Sequence, residues 1–252
     1  MAAVQLPWQL VDARIAADAA GLLVTAYVDG AEPDRIDLTG TTWATWVAKT
    51  ANLLVDDLGL DVTADPPPTV AVDLRPHWQG AVWAEAANRV GAVLALGPAA
   101  VASGPEVAVV APAGVADALA GSPGDLLVAP LRPMNAVHDG PLPSGVLDYS
   151  AEVAAHGDRF LPAMRQYRED DAAVLARAGA LVDTAGLRQG ARLLSTGSLP
   201  GSPWVELLAV CSVGGSLVLS PDARALPGDE AAQRWSVERV TAAVPADADL
   251  LG

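Results

Sequence analysis

Lysine is nearly absent from this 252-residue chain: of its 15 basic residues only Lys49 is a lysine, against 30 Asp and Glu, giving a formal net charge of −15. Such a surplus repels phosphate backbones and anionic lipid, since binding either depends on Lys and Arg neutralising fixed negative charge. Neither nucleic acid nor a membrane surface is an expected partner. The one cysteine, Cys211, has no partner for an internal disulfide and fits a reducing, cytoplasmic location. No basic region precedes Asp12, so no signal peptide is expected. The longest charge-poor stretch, 90–105, is broken by Gly91, Gly97, Pro98 and Gly104 and is too short to span a bilayer. Three histidines, His77, His138 and His156, lie far apart with no metal-ligand spacing, so no metal or cofactor is expected. With seven Trp but a single Phe, the core must be built from Ala, Val, Leu and Trp.

What is present is an alternation of apolar strands and amphipathic helices. A strand at 22–28 and a shorter one at 35–38 read as a hairpin. A helix follows, capped by Thr41 or Thr42, with Trp43, Trp46, Val47, Ala51, Leu54 and Leu58 on one face and Gly59 as its stop. Beyond a Pro-rich joint at 65–68 come a strand at 69–72, a helix at 77–90 and a strand at 92–96. Two more strands, 107–110 and 126–128, flank an Ala-rich helix at 115–120. This rhythm predicts a mostly parallel sheet with helical cover. The irregular stretch 130–145, with four prolines, reads as a lobe boundary or a functional loop. After it the pattern weakly repeats: short strands at 192–195 and 216–219, a helix carrying Trp204, and the start of another strand at 234–241. The expected fold class is α/β, with two similar, mostly parallel sheet lobes at 1–146 and 147–252.

The chemistry is sparse. Residues 38–42 have the Thr and Gly of a phosphate loop but no Lys follows within the loop, and they are better explained as a helix-capping turn. No Gly-x-Ser-x-Gly elbow occurs, and Cys211 lies in an apolar run that suits a core thiol. Glu169-Asp170-Asp171 reads as helix N-terminal charge or a solvated face. His77, between Pro76 and Trp78, falls at a strand-to-helix corner, where α/β sheets bind ligands. Ser195, Thr196, Ser198 and Ser202 follow a strand in a Gly-rich connector whose backbone amides could meet an anion. These five are the ligand-binding candidates; no catalytic or metal-ligating residue is nominated.

Several segments together resemble the opening of the adenylate-forming enzymes, the AMP-binding and acyl-CoA synthetase superfamily. They are Ile36-Asp37-Leu38-Thr39, Trp46-Val47-Ala48-Lys49-Thr50-Ala51-Asn52-Leu53-Leu54, Gly59-Leu60, Thr69-Val70-Ala71-Val72, Arg75-Pro76-His77-Trp78-Gln79 and Val90-Gly91-Ala92-Val93. Residues 142–149, 152–160 and 238–241 extend the likeness toward a group of shortened actinobacterial relatives. The resemblance covers most of the chain, and its motifs are structural. It implies the N-terminal subdomains of that superfamily, with a second, incomplete lobe.

The departures bear on activity. Active members carry a Ser/Thr/Gly-rich phosphate loop ending in Pro-Lys-Gly after a strand placed like 172–175; here Leu175 runs directly into Ala176-Arg177-Ala178-Gly179-Ala180. Residues 194–199 resemble the place where many members put an aromatic or His beside the acyl group, and neither is present. The motifs for adenine, ribose and magnesium, and the small domain with a catalytic Lys, are expected to be missing. Adenylyl transfer depends on positioned cations against developing negative charge. The resemblance therefore implies a non-catalytic relative acting by self-association or through a protein partner. The alternative is a retained nucleotide, CoA or acyl-CoA ligand near His77 and the 195–202 connector.

Overall fold

A computed structural model describes residues 5–28, 34–132, 136–162, 165–197 and 202–251. In chain order the elements are α1 (Pro7–Ala17), β1 (Leu22–Val28), β2 (Asp34–Thr39), α2 (Gly40–Asn52), β3 (Thr69–Asp73), α3 (Trp78–Val90), β4 (Val93–Leu96), α4 (Pro98–Val101), β5 (Val107–Val110), α5 (Val115–Gly121), β6 (Asp125–Val128), β7 (Val146–Asp148), α6 (Tyr149–Ala154), α7 (Glu169–Thr184), β8 (Arg192–Ser195), α8 (Ser202–Ser212), β9 (Ser216–Leu219), α9 (Gly228–Glu238) and β10 (Ala242–Ala243). A π-wound turn, Leu53–Asp57, prolongs α2, and a 3-10 segment, Pro245–Leu251, follows β10. The fold is α/β with two mostly parallel sheets, as the alternation predicted.

Two compact units interleave along the chain. The first comprises Met1–Trp43, Pro76–Trp78 and Gln166–Gly252; the second, Ala44–Arg75 and Gln79–Arg165. This grouping differs from the consecutive lobes 1–146 and 147–252, because β1 of the early hairpin hydrogen-bonds in parallel to β9, nearly 200 residues later. The first unit's sheet has the order β10-β8-β9-β1-β2, with only β2 antiparallel. On one face, Tyr27, Leu194, Val218 and Ala243 pack with Ala231 and Trp235 of α9. Alternate residues such as Leu193 and Leu217 are buried on the other face, as the two-residue strand period requires. There α8 packs on β8 and β9, backed by α1 and α7.

The second unit's sheet has the order β4-β3-β5-β6-β7 and is parallel throughout. One part of its core is aliphatic, joining Ala71, Ala108, Val110, Leu126 and Val128 to Val115 and Ala118 of α5. Another part is aromatic: the rings of Trp83 and Tyr149 lie 4.9 Å apart, and those of Trp46 and Tyr149 6.4 Å apart. Trp43, Trp46, Trp78, Trp83 and Trp204, all helical, are all buried, so the Trp-for-Phe composition is a core property.

Three local expectations are corrected. The strand expected at 172–175 is instead the start of α7: the Asp171 carboxylate accepts from the Arg168 amide at 2.9 Å, acids fill the first turn, and Ala172, Ala173, Leu175 and Ala176 are strong helix formers. The strand expected at 234–241 is largely α9, in which Ala231, Trp235 and Glu238 fall four and three residues apart on the buried face. The cap of α2 is Thr39 rather than Thr41 or Thr42, its Oγ1 accepting from the Thr42 amide at 3.2 Å.

Candidate functional site

In open α/β sheets the loops leaving the carboxyl ends of parallel strands carry backbone amides that can meet ligands. In the first unit those ends are Val28 of β1, Ser195 of β8, Leu219 of β9 and Ala243 of β10. After β8 the chain turns at Gly197, with φ +65°, and a Cβ there would lie 2.3 Å from Cβ of Pro76. Glycine is required twice, for the left-handed backbone and for the close approach. The turn places the Pro76–Trp78 segment against the end of β8. His77 is buried there, its ring 5.5 Å from that of Trp78. Four of the nominated residues, His77, Ser195, Thr196 and Ser202, belong to one unit, the first three of them at this strand end. Ser198 lies outside the described residues, and Ser202 opens α8.

The hydroxyls at this rim are already engaged. Ser195 is buried and its Oγ accepts from the Gly197 amide at 2.8 Å. The Thr196 amide donates to Oδ2 of Asp247 and its hydroxyl to Oδ1, both at 2.8 Å. Arg224 Nη2 donates to the same Oδ1 at 3.0 Å and to the Ala246 carbonyl. Nearby, Arg234 Nη1 reaches both Asp222 oxygens at 2.9 and 2.8 Å, while its guanidinium lies 4.2 Å from the centre of the Tyr27 ring, a cation–π arrangement. Asp222, Arg224, Arg234 and Asp247 were not found by sequence reasoning. Each is a single charged residue without a motif, and Asp247 is one of two acids, with Asp249, in a short Ala-rich tail.

A second polar cluster of the first unit centres on Glu238, whose side chain is 1% exposed. Its carboxylate accepts from the Tyr27 hydroxyl at 2.6 Å, from Arg35 Nε at 2.6 Å and from Arg192 Nη2 at 2.6 Å. Burial by itself raises the pKa of this carboxyl, but the hydrogen bonds from Arg35, Tyr27 and Arg192 outweigh it and hold the group at about 2. The Tyr27 hydroxyl is pushed up to about 12, first by burial and then by Glu238. All donors and acceptors here answer one another, which makes the cluster a clamp joining β1, β2, β8 and α9.

In the second unit the only lysine has a structural duty. Lys49 Nζ donates to the carbonyls of Ala154 and His156 and pairs with Asp158 at 3.1 Å, capping the carboxyl end of α6 where a cation is favoured. Asn52 Nδ2 donates to the carbonyls of Gly157 and Arg159, and His156 Nε2 lies 3.2 Å from Asp57. The run 154–159 is thus pinned to α2 and its π turn. Tyr149 is fully buried beside Thr50, Oγ1 to OH 2.7 Å, and burial raises its pKa. Cys211 is buried on α8.

No family model matches the chain. It is 34% identical over 252 aligned positions to a "TIGR03089 family protein" of Mycobacterium tuberculosis H37Rv, an alignment covering 92% of this chain and 95% of that one. The chain belongs to the TIGR03089 family. Among solved structures it is similar to a Brucella canis acyl-CoA synthetase, with TM-score 0.68 and 17% identity over 96% of this chain and 48% of that one. It is likewise similar to MatB from Rhodopseudomonas palustris, with TM-score 0.62 and 16% identity over 94% of this chain and 48% of that one. An acetoacetyl-CoA synthetase from Streptomyces lividans matches with TM-score 0.64 and 15% identity, over 85% and 38% of the two chains. The chain spans about half the length of the first two of these structures, and at these identities what it shares with all three is the fold. The resemblance to adenylate-forming enzymes therefore holds at the level of architecture. Among the described residues no helix is long and apolar enough to cross a membrane.

Proposed function

We propose that this TIGR03089 family member is a non-catalytic protein on an acyl-CoA synthetase-like fold, acting by association with a second copy of itself or with another protein chain. The observation that carries the reading is α7. It is helical from Glu169 to Thr184, across the residues where the family resemblance places a strand followed by the phosphate loop. The Lys49 ammonium, held on the carbonyls at the end of α6, is committed to structure in the same way. Pyrophosphate exchange into ATP, assayed over a panel of carboxylic acids, is expected to stay at background, and light scattering at micromolar concentration to give more than a monomer mass. Exchange with any acid overturns the non-catalytic reading. A clean monomer that captures no partner overturns association.

A second reading is ligand binding, favoured by the seating of Pro76 against Gly197, which puts the His77 segment at the same strand end as Ser195 and Thr196. Thermal shift and calorimetric titration with ATP, AMP, CoA and an acyl-CoA test it. A silent response to all four removes it.

A further inference from the structure

Thr196 and Arg224 hold Asp247 as a protein holds a bound oxyanion. A backbone N–H, a hydroxyl and a guanidinium converge on one carboxylate at 2.8, 2.8 and 3.0 Å, and that carboxylate is fully buried. Burying a carboxylate is costly without such donors. The donors do not come from Asp247's own segment: Thr196 follows β8, and Arg224 sits in a 3-10 turn, Ala223–Ala225, after β9. The cradle is thus built on the strand ends, and Pro245–Leu251 lies over it as a strap. The strap's Ala246 carbonyl also accepts from Arg224, whose side chain is 47% exposed and so faces water on its outer side.

We propose that the carboxyl end of β8 is an oxyanion-binding site, occupied in cis by Asp247, and that a ligand carboxylate or phosphate competes with the strap for the same three donors. The exchange replaces one negative charge by another, so in a chain of net charge −15 the ligand enters without adding uncompensated charge to the site. Strap closure lowers apparent affinity by the fraction of molecules that are open. The inference rests on the ligand-binding reading and names the group that would be recognised.

The test is replacement of the internal anion by an external one. Asp247→Ala is expected to melt below the unchanged chain and to regain a saturable part of the loss in sodium acetate or sodium phosphate, relative to sodium chloride at equal ionic strength. The unchanged chain gives no such saturable difference. Adding Arg224→Ala raises the anion concentration needed for half the gain by roughly ten- to a hundredfold, the worth of a hydrogen bond to a charged partner. A gain with acetate alone assigns a carboxylate ligand, and one with phosphate alone a phosphate ligand. Asp247→Ser, which keeps a short polar side chain, repeats the titration if the alanine variant does not fold. No gain above chloride in either variant, including failure of both to fold in every salt, overturns the proposal. ATP and CoA titrations of the unchanged chain separate the two readings. Silence there with anion capture by the variant removes the ligand reading and leaves the cradle; the reverse removes the cradle.

Discussion

The two units solve the same problem, burying an α/β core, with different chemistry. The second unit is drawn from two stretches that are nearly continuous, and its sheet is wholly parallel. Its interior relies on aliphatic side chains and on Trp and Tyr rings packed at a tilt. The first unit joins residues from opposite ends of the chain, and its sheet gathers β1 and β2 beside strands that follow Arg192. There the long-range ties include buried charges, with Glu238 joining Arg35 to Arg192 and Asp247 joining Thr196 to Arg224. Apolar contacts are non-directional, whereas a carboxylate with two or three donors accepts one arrangement. The ion clusters therefore fix how distant segments meet, at the expense of sensitivity to pH and to loss of a single partner.

The comparison breaks most sharply at Glu238. Glu238→Ala leaves two guanidinium groups and a tyrosine hydroxyl without their shared acceptor, and a loss of about 3–5 kcal/mol is expected from urea unfolding. A loss below 1 kcal/mol would show that the clamp does not hold the first unit together. The same cluster gives the protein its pH response. Glu238 is lowered from 4.5 to about 2, so the folded chain binds fewer protons than the unfolded one between those values, and the stabilisation present above pH 4.5 is lost as pH falls toward 2. Tyr27 is raised from 10.0 to about 12, so its contribution is present below pH 10 and is lost as pH rises toward 12. Unfolding followed across pH should show both limbs, and Glu238→Gln should flatten the acid one.

A smaller effect is expected in the second unit. Tyr149→Phe removes a hydroxyl bonded to Thr50, but Thr50 keeps its own bond to the Trp46 carbonyl at 2.8 Å, so no buried donor is stranded and about 1 kcal/mol is lost. The smallest effects form a matched pair. Ser122 ends α5 in the second unit and Arg239 ends α9 in the first, each exposed and each at φ +53°. Ser122→Gly and Arg239→Gly should each raise stability by about 0.5–1 kcal/mol by removing a Cβ from left-handed backbone. Unequal gains in thermal unfolding would mean that Arg239 has a duty beyond its turn.

The legibility of the chain follows the same divide. Strands 69–72, 107–110 and 126–128, the helix carrying Trp83 and the buried tryptophans could be read from periodicity and composition, because a strand or helix that buries one face writes its period into the sequence. The misread segments are those where a short apolar run was weighed without its neighbours. The strand at 172–175 came with the family resemblance, whereas Glu169-Asp170-Asp171 already read as helix N-terminal charge, and the Asp171 carboxylate closes the first turn of α7 on the Arg168 amide. For the candidate site, the sequence supplied the place, the Gly-rich exit after Ser195 and the corner at His77. It did not supply Asp247 or Arg224, which lie 51 and 28 positions beyond Thr196 and carry no local pattern.

What the sequence alone determined is the class of the molecule: an acidic α/β chain whose Ala, Val, Leu and Trp segments alternate with the periods of helix and strand. Those are local properties, set by steric preference and by which face of each element is apolar. Only the tertiary structure decided that β1 joins β9 and that the Thr196 donors close on Asp247. Each of these depends on a partner far along the chain. A hydrogen bond between distant residues leaves no periodic trace, because its geometry exists only once the intervening chain has folded.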